Sequence, residues 1–353
     1  MRKVPLNKLK PDMYLARPVF YKNMLMLNRG VHNLDKYIRT LRNMGVSSLY
    51  VEDGLSEGIE VTELLSEKTI HKCRNILHNI FDNFRKTGNV DSTNLLHSSN
   101  IILDELISRE DVLVSLDSIG TTDANTLSHS LNVAIYSLIL GTQLGLSRER
   151  LLLLSESAML HDIGKTVLDQ DILFKPGQLS ETEFNYVKSH TVLGYDILKE
   201  NPVMSAITRN VALYHHERLD GSGYPEGILD DGIHNFARIV AIADIYDALT
   251  MDRCYRKAVS ASEAVSILLQ DAGTKLDTSL VDIFITQLAI YPNGTLVRLS
   301  DGRSGIVSSQ NSSLPFQPVI RILQEAGETE TEPYEVNLAQ ETDVTILDEM
   351  AEL

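Results

Sequence analysis

With 353 residues, 43% apolar and 23% charged, the chain has the make-up of a folded globular protein long enough for two or three domains. Its formal charge of −16 excludes a general affinity for the backbone of long nucleic acids, although a local cluster of cations can still reverse the field inside one cleft. No run approaches the roughly 18 unbroken apolar residues of a membrane span, and Met1-Arg-Lys-Val-Pro5 lacks the apolar stretch of a signal peptide, so a cytoplasmic protein is expected. Cys73 and Cys254 lie far apart in no ligand-like spacing, which fits a reducing compartment and a packing role.

Residues 1–60 read as a small α+β or β-rich domain with a regulatory or packing role. Pro5, Pro11 and Pro18 punctuate short apolar runs, Tyr21 to Leu27 has strand character, Leu34 to Met44 is amphipathic, and Val46 to Val51 is a last strand before Asp53-Gly54. Residues 61–118 turn helical and read as a connector. Ile70, Cys73, Ile76, Leu77, Ile80 and Phe84 share a stripe, with a polar break from Thr87 to Thr93. His71, His78 and His97, lone histidines on amphipathic helices, read as surface or core fillers.

Residues 119–290 hold the chemistry. His129 lies on a helix from Thr126 to Leu140 whose apolar residues Val133, Tyr136 and Leu140 follow it at 4, 7 and 11, so it points inward. Ser147 is placed to cap a helix from Leu151 to Leu160 that is apolar almost all round, with Gly164 as its expected stop. His161 and Asp162 at its buried end therefore need partners, either each other or a metal, because an unpaired ion in a dry interior is costly. A capping box, Ser180 to Glu183, opens a helix expected to run through Val192, Leu193, Tyr195 and Leu198 with His190 inside it. His215 and His216 follow Ile207, Val211, Ala212 and Leu213. Neighbours on a helix point about 100° apart, so a shared target requires that the pair sit at the helix end, before Asp220-Gly221-Ser222-Gly223. Asp244 falls in the middle of the apolar run Phe236 to Leu249 and must meet either Arg238 or an ion; Asp247 lies on a similar face and is placed to orient a histidine. Each histidine alone is more often a core residue bonded to a carbonyl. Five of ten histidines between 129 and 216, in the company of Asp162 and Asp244, favour a metal site.

A second capping box, Ser260 to Glu263, begins a helix to about Ala272, and another follows from Ser279 to Ala289. Over 291–353 the pattern changes to a short β segment, with strands at Thr295 to Leu299, Gly305 to Ser308 and Pro318 to Leu323 and a turn at Asp301-Gly302, followed by an acidic tail.

His161-Asp162-Ile-Gly-Lys165, His190, His215-His216-Glu217, Asp220-Gly221-Ser-Gly223-Tyr224-Pro225 and Ala243-Asp244-Ile-Tyr-Asp247-Ala-Leu, in this order, resemble the HD-GYP family, the HD-superfamily phosphodiesterases of bacterial cyclic di-GMP. The resemblance covers roughly residues 120–290; Arg2-Lys-Val-Pro-Leu and Lys10-Pro11-Asp-Met13 also resemble a short module that precedes this domain in some members. It implies a mainly α protein, an HD-type helical bundle holding two divalent metals through His129, His161, Asp162, His190, His215, His216 and Asp244, with Asp162 bridging. Nitrogen and oxygen ligands without thiolate suit iron or manganese, with nickel or zinc as alternatives in a purified sample. Some members hold a third metal through a glutamate; that position is Asn125 here, and Asp123 is in poor helical phase to replace it, so two metals are expected.

By the same resemblance, a metal-bridging hydroxide cleaves cyclic di-GMP to linear pGpG and then GMP, with Asp162 and Lys165 catalytic. Lys165, Gly223, Tyr224, Pro225, Arg253 and Arg256 are implied substrate contacts, Lys257 lies beside them, and Glu217, Asp220 and Asp247 stand behind the ligands. Two other readings stay open: an effector that binds the dinucleotide and signals to a partner such as a diguanylate cyclase, and a di-iron oxygenase. The loop 220–225 and Arg253 speak for an anionic diester. Whether the chain forms a homodimer is left open.

Overall fold

The computed structural model describes residues 1–21, 24–46, 48–108, 113, 126–251, 258–312, 314–327 and 329–352. They group into two compact units, 1–63 with 288–352, and 64–108 with 126–287.

In the first unit, β1 (Arg2–Pro5), β2 (Tyr14–Leu15) and β5 (Ser48–Glu52) pair antiparallel in the order β1-β5-β2, while β3 (Val19–Tyr21) and β4 (Met24–Leu27) form a separate hairpin. Alternation sets the buried face: Val4, Leu15, Leu49 and Val51 point inward and meet Leu34 and Leu41, the latter on α1 (Ile38–Asn43). β6 (Leu296–Leu299), β7 (Ser304–Ser309), β8 (Val319–Glu325), β9 (Thr329–Asn337) and β10 (Ile346–Glu349) form an antiparallel sheet in the order β10-β6-β7-β8-β9. Ile59 joins Leu296, Ile306 and Leu323 in one apolar cluster. The expected acidic tail therefore contains two strands, β9 and β10. β9 and β10 are the two edges of the sheet, where charged side chains guard against edge-to-edge pairing and few residues are buried, so apolar alternation does not mark them.

The second unit is helical: α2 (Glu67–Thr87), α3 (Ser92–Ile107), α4 (Thr126–Gln143), α5 (Arg148–Leu160), α6 (Gln170–Leu173), α7 (Glu181–Lys188), α8 (His190–Glu200), α9 (Ala206–Tyr214), α10 (Asn235–Thr250), α11 (Ala261–Asp271) and α12 (Thr278–Thr286). The stripe read as a connector packs here, with α2 against α3 and α4 and α3 against α5. At the centre α4 buries Leu131, Val133, Ile135, Tyr136 and Leu138 almost completely and lies between α5 and α10. Tyr136, Tyr246 and Phe284 tie α4, α10 and α12 together through edge-to-face contacts of 5.3–5.9 Å. Ser147 caps α5 by accepting from Arg150 N, and Ser180 and Glu183 close a reciprocal capping box on α7. Among the described residues no helix is long and apolar enough to cross a membrane.

Candidate metal centre

Five helices deliver histidine or carboxylate to one buried point, and each delivery has a local cause. α5 ends at Leu160, and His161 returns its Nδ1 to Ala158 O at 2.7 Å, the carbonyl that its own amide also reaches at the helix end. The chain then tightens into a 3-10 turn, Ile163–Val167, opened by Lys165 N donating to Asp162 O. Gly164 is thus not the stop that the sequence suggests. A Cβ there would lie 1.9 Å from His190 O, so glycine is needed for the turn to press against the start of α8. The single helix expected from Ser180 through Leu198 is also divided. At Ser189 the amide and Oγ both bond back to Tyr186 O, ending α7, so that His190 stands in the first turn of α8. His215 is the C-cap of α9, with His216 next to it. Asp244 and Asp247 lie on α10, and His129 on α4.

His129, His161, Asp162, His190, His215 and Asp244 are all at least nine-tenths buried. His129 Nδ1 faces Asp247 Oδ2 at 2.7 Å, His190 Nδ1 faces Val187 O at 2.7 Å, and His215 Nδ1 faces Val211 O and Ala212 O at 3.1 Å. His161, His190 and His215 spend their Nδ1–H on backbone carbonyls, which turns the Nε2 of each neutral ring inward as a lone pair, whereas His129 stands between the carboxylates of Asp247 and Asp244 and offers its Nε2 lone pair only once the ring has lost a proton.

Those inward atoms meet other acceptors. His161 Nε2 lies 3.4 Å and His129 Nε2 3.6 Å from Asp162 Oδ2; His190 Nε2 lies 3.3 Å and His215 Nε2 3.7 Å from Asp162 Oδ1. His190 Nε2 and His215 Nε2 face each other at 3.4 Å. Asp244 spans the same division, Oδ1 being 3.1 Å from His129 Nε2 and Oδ2 3.7 Å from His216 Nδ1. Among the described residues, His129 Nε2, His161 Nε2 and Asp162 Oδ1 are buried without a hydrogen-bond partner. Buried nitrogen and carboxylate atoms that converge in this way suit a cation between them. The donors fall into two groups, His129, His161 and Asp162, and Asp162, His190, His215 and His216, each with its atoms within 4.8 Å, and Asp162 belongs to both. These residues can hold metal.

Charge follows the same division. Burial pushes His190 down to about 3, with the nearby Lys165 ammonium adding to it, and burial also lowers His215 and His216. Burial would lower His129 too, but Asp244 and Asp247 outweigh it and raise the ring to about 9. Burial works against ionised Asp162 and Asp244, yet Lys165 and His161 hold the first, and His129 and His216 the second, well below the usual carboxylate range. Three rings are thus already neutral at pH 7, while His129 must lose a proton to ligate. Manganese binding at pH 7 is expected to release about one proton per chain, and affinity to rise as pH rises towards about 9. Calorimetry in buffers of different ionisation heat would show this; a binding heat independent of buffer would contradict it.

The other expected residues divide. Lys165 Nζ is ion-paired with Asp162 Oδ2. Asp247 also accepts from Asn132 Nδ2 at 2.8 Å. Asn132 was not singled out from the sequence, although a buried amide one turn beyond His129 on the inward stripe was a usable signal. Arg238 does not answer Asp244; it pairs with Asp230 and Asp277. Glu217, expected behind the ligands, instead anchors the following loop by accepting from the amides of Glu226, Gly227 and Ile228 at 2.8–3.2 Å. Asp220 is exposed and turns the loop by accepting from Ser222 N and Oγ. A Cβ on Gly223 would lie 2.4 Å from Arg218 N, so glycine lets the loop fold back, and Tyr224 then stacks on His216 with ring centroids 4.6 Å apart. Pro225 follows it in that loop. Asp123, Asn125, Arg253, Arg256, Lys257 and Cys254 lie outside the described residues.

A family model described as HD domain matches residues 104–280, and one described as KOW domain associated with HD domain matches 296–352. The chain is 35% identical over 243 residues to a cyclic di-GMP phosphodiesterase of Pseudomonas aeruginosa, covering 68% of this chain and 58% of that protein. It is 40% identical over 149 residues to a cyclic di-GMP phosphodiesterase response regulator of Xanthomonas campestris, covering 42% and 39%, and 39% identical over 168 residues to a 3'3'-cGAMP-specific phosphodiesterase of Vibrio cholerae, covering 48% and 36%. The chain therefore spans between about a third and three-fifths of these relatives' lengths. The HD match runs over the helices that carry the histidine and aspartate cluster, and the ordered motifs from His161 to Asp247 sit on it: the chain belongs to the HD-domain family, in its HD-GYP branch.

Proposed function

We propose that this protein is a metal-dependent phosphodiesterase that hydrolyses cyclic di-GMP to linear pGpG and then to GMP. The observation that carries the reading is the division of Asp162, one oxygen towards His129 and His161 and the other towards His190 and His215, which suits a carboxylate shared by two cations. Iron or manganese fits a donor set of imidazole and carboxylate. Such a pair, when bound, lowers the pKa of a water and neutralises phosphoryl oxygens.

The chain's own groups then have defined tasks. Lys165, its side chain 17% exposed beside Asp162, places an ammonium where a non-bridging phosphate oxygen would enter. Burial, Asp244 and Asp162 all raise the Tyr224 phenol, so it stays protonated and offers an O–H donor beside His216. Arg253 and Arg256 would add bidentate phosphate contacts. Asp247 and Asn132 hold His129 in register on the far side.

The test is the manganese- or iron-loaded protein, purified without oxygen, incubated with cyclic di-GMP and in parallel with 3'3'-cGAMP. Expected is metal-dependent release of pGpG and later GMP, suppressed by chelation. Preference for 3'3'-cGAMP would move the substrate to that dinucleotide, and tight binding without turnover would make the protein an effector.

A further inference from the structure

Lys165 beside the centre and Lys175, which reaches Glu183 on α7, are each paired with a carboxylate, Asp162 and Glu183 respectively. Lys188 differs. It is half-buried at the end of α7, two residues before His190, and among the described residues no carboxylate lies within ion-pair distance of it. Its ammonium is instead held between two aromatic rings, 4.6 Å from the centroid of Phe184 and 5.3 Å from that of Tyr224. Tyr224 in turn stacks on His216. The order His216, Tyr224, Lys188, Phe184 runs from a candidate ligand outward to a ring that is 48% exposed.

A cyclic dinucleotide has two phosphodiesters, and the centre acts on one at a time. The other must be received nearby by a chain whose net charge is −16, which calls for a local cation. We propose that Lys188 and Phe184, with Tyr224, form the subsite for the half of the dinucleotide that is not being cleaved, Lys188 taking the second phosphate and the open face of Phe184 a purine. This rests on the cyclic-dinucleotide reading above. Phe184 and Lys188 are one helical turn apart, so α7 presents a stacking face and a cation side by side. Because the subsite grows from the helix that precedes His190, it sets the cleaved phosphate relative to the ligands.

The test is steady-state kinetics of the metal-loaded protein with Lys188→Met, which removes the charge and keeps an unbranched side chain of similar length, Lys188→Arg, and Phe184→Ala. Expected for Lys188→Met is a KM for cyclic di-GMP raised roughly tenfold, the scale of one charge-assisted contact, with kcat within about twofold. Lys188→Arg should restore most of the KM, and Phe184→Ala should raise it several-fold. Bis(p-nitrophenyl) phosphate has one phosphate and no purine, so its turnover should not track these KM changes. An unmoved KM in Lys188→Met, or a fall in kcat matched by an equal loss on bis(p-nitrophenyl) phosphate, would show a merely structural lysine. Wild-type protein active on bis(p-nitrophenyl) phosphate but inert towards cyclic dinucleotides would remove the substrate reading, and this subsite with it.

Discussion

Asp162→Asn is expected to lower hydrolysis by about a thousandfold or more and to leave the protein with less than half its metal. The substitution keeps the volume of a side chain that is 0% exposed, so it isolates charge from packing. In the wild type each oxygen serves a different group of histidines. An amide cannot do this, since its NH₂ would point a donor at one pair of imidazoles and its neutral oxygen would hold a cation weakly. A thousandfold loss is about 4 kcal/mol of transition-state stabilisation, on the scale of removing one strong electrostatic partner from a water-excluded site. Lys165 would also lose its partner. Metal content and turnover measured on the same preparation decide the matter. Retention of full metal with more than a tenth of the activity would show that Asp162 is not shared.

Gly164→Ala should be the most disruptive single-methyl change in the centre. The added Cβ would meet His190 O at 1.9 Å, Gly194 N at 2.6 Å and His190 C at 2.8 Å, all backbone atoms that no rotamer change can clear. Either the 3-10 turn or the start of α8 must move, and His161 and Asp162 ride on one while His190 rides on the other. A cost of about 3 kcal/mol is expected, the upper part of the usual range for overpacking, with a fall of roughly 6–12 °C in Tm and loss of metal. Gly194→Ala is the control. It sits on the other side of the same contact, but its nearest neighbour would be 3.4 Å away, so its Tm should stay within a few degrees. Equal thermal scans for Gly164→Ala and wild type would mean that the close approach does not constrain the site.

Several parts of this molecule follow from short stretches of chain. The cap at Ser147, the capping box at Ser180 and Glu183 and the apolar stripes of α2, α4 and α10 are local, because a helix is built from neighbours three and four residues apart. The ligand residues were legible for an energetic reason: histidine and aspartate set in apolar helices require compensation wherever the chain goes.

What those stretches do not contain is the identity of each partner. Arg238 and an ion were equal answers to Asp244 until Asp230 and Asp277 were seen to claim the arginine. Glu217 bonds amides 9 to 11 residues further on, and Gly164 is explained only by a carbonyl on α8. The break at Ser189 has neither proline nor glycine to announce it, and β9 and β10 bury too few residues to show a pattern. Helices and the need for a cation were written in composition and spacing, which act at short range. The sharing of Asp162, the approach at Gly164 and the clamp on Lys188 depend on atoms brought together from distant positions, and only the packed tertiary structure decides those.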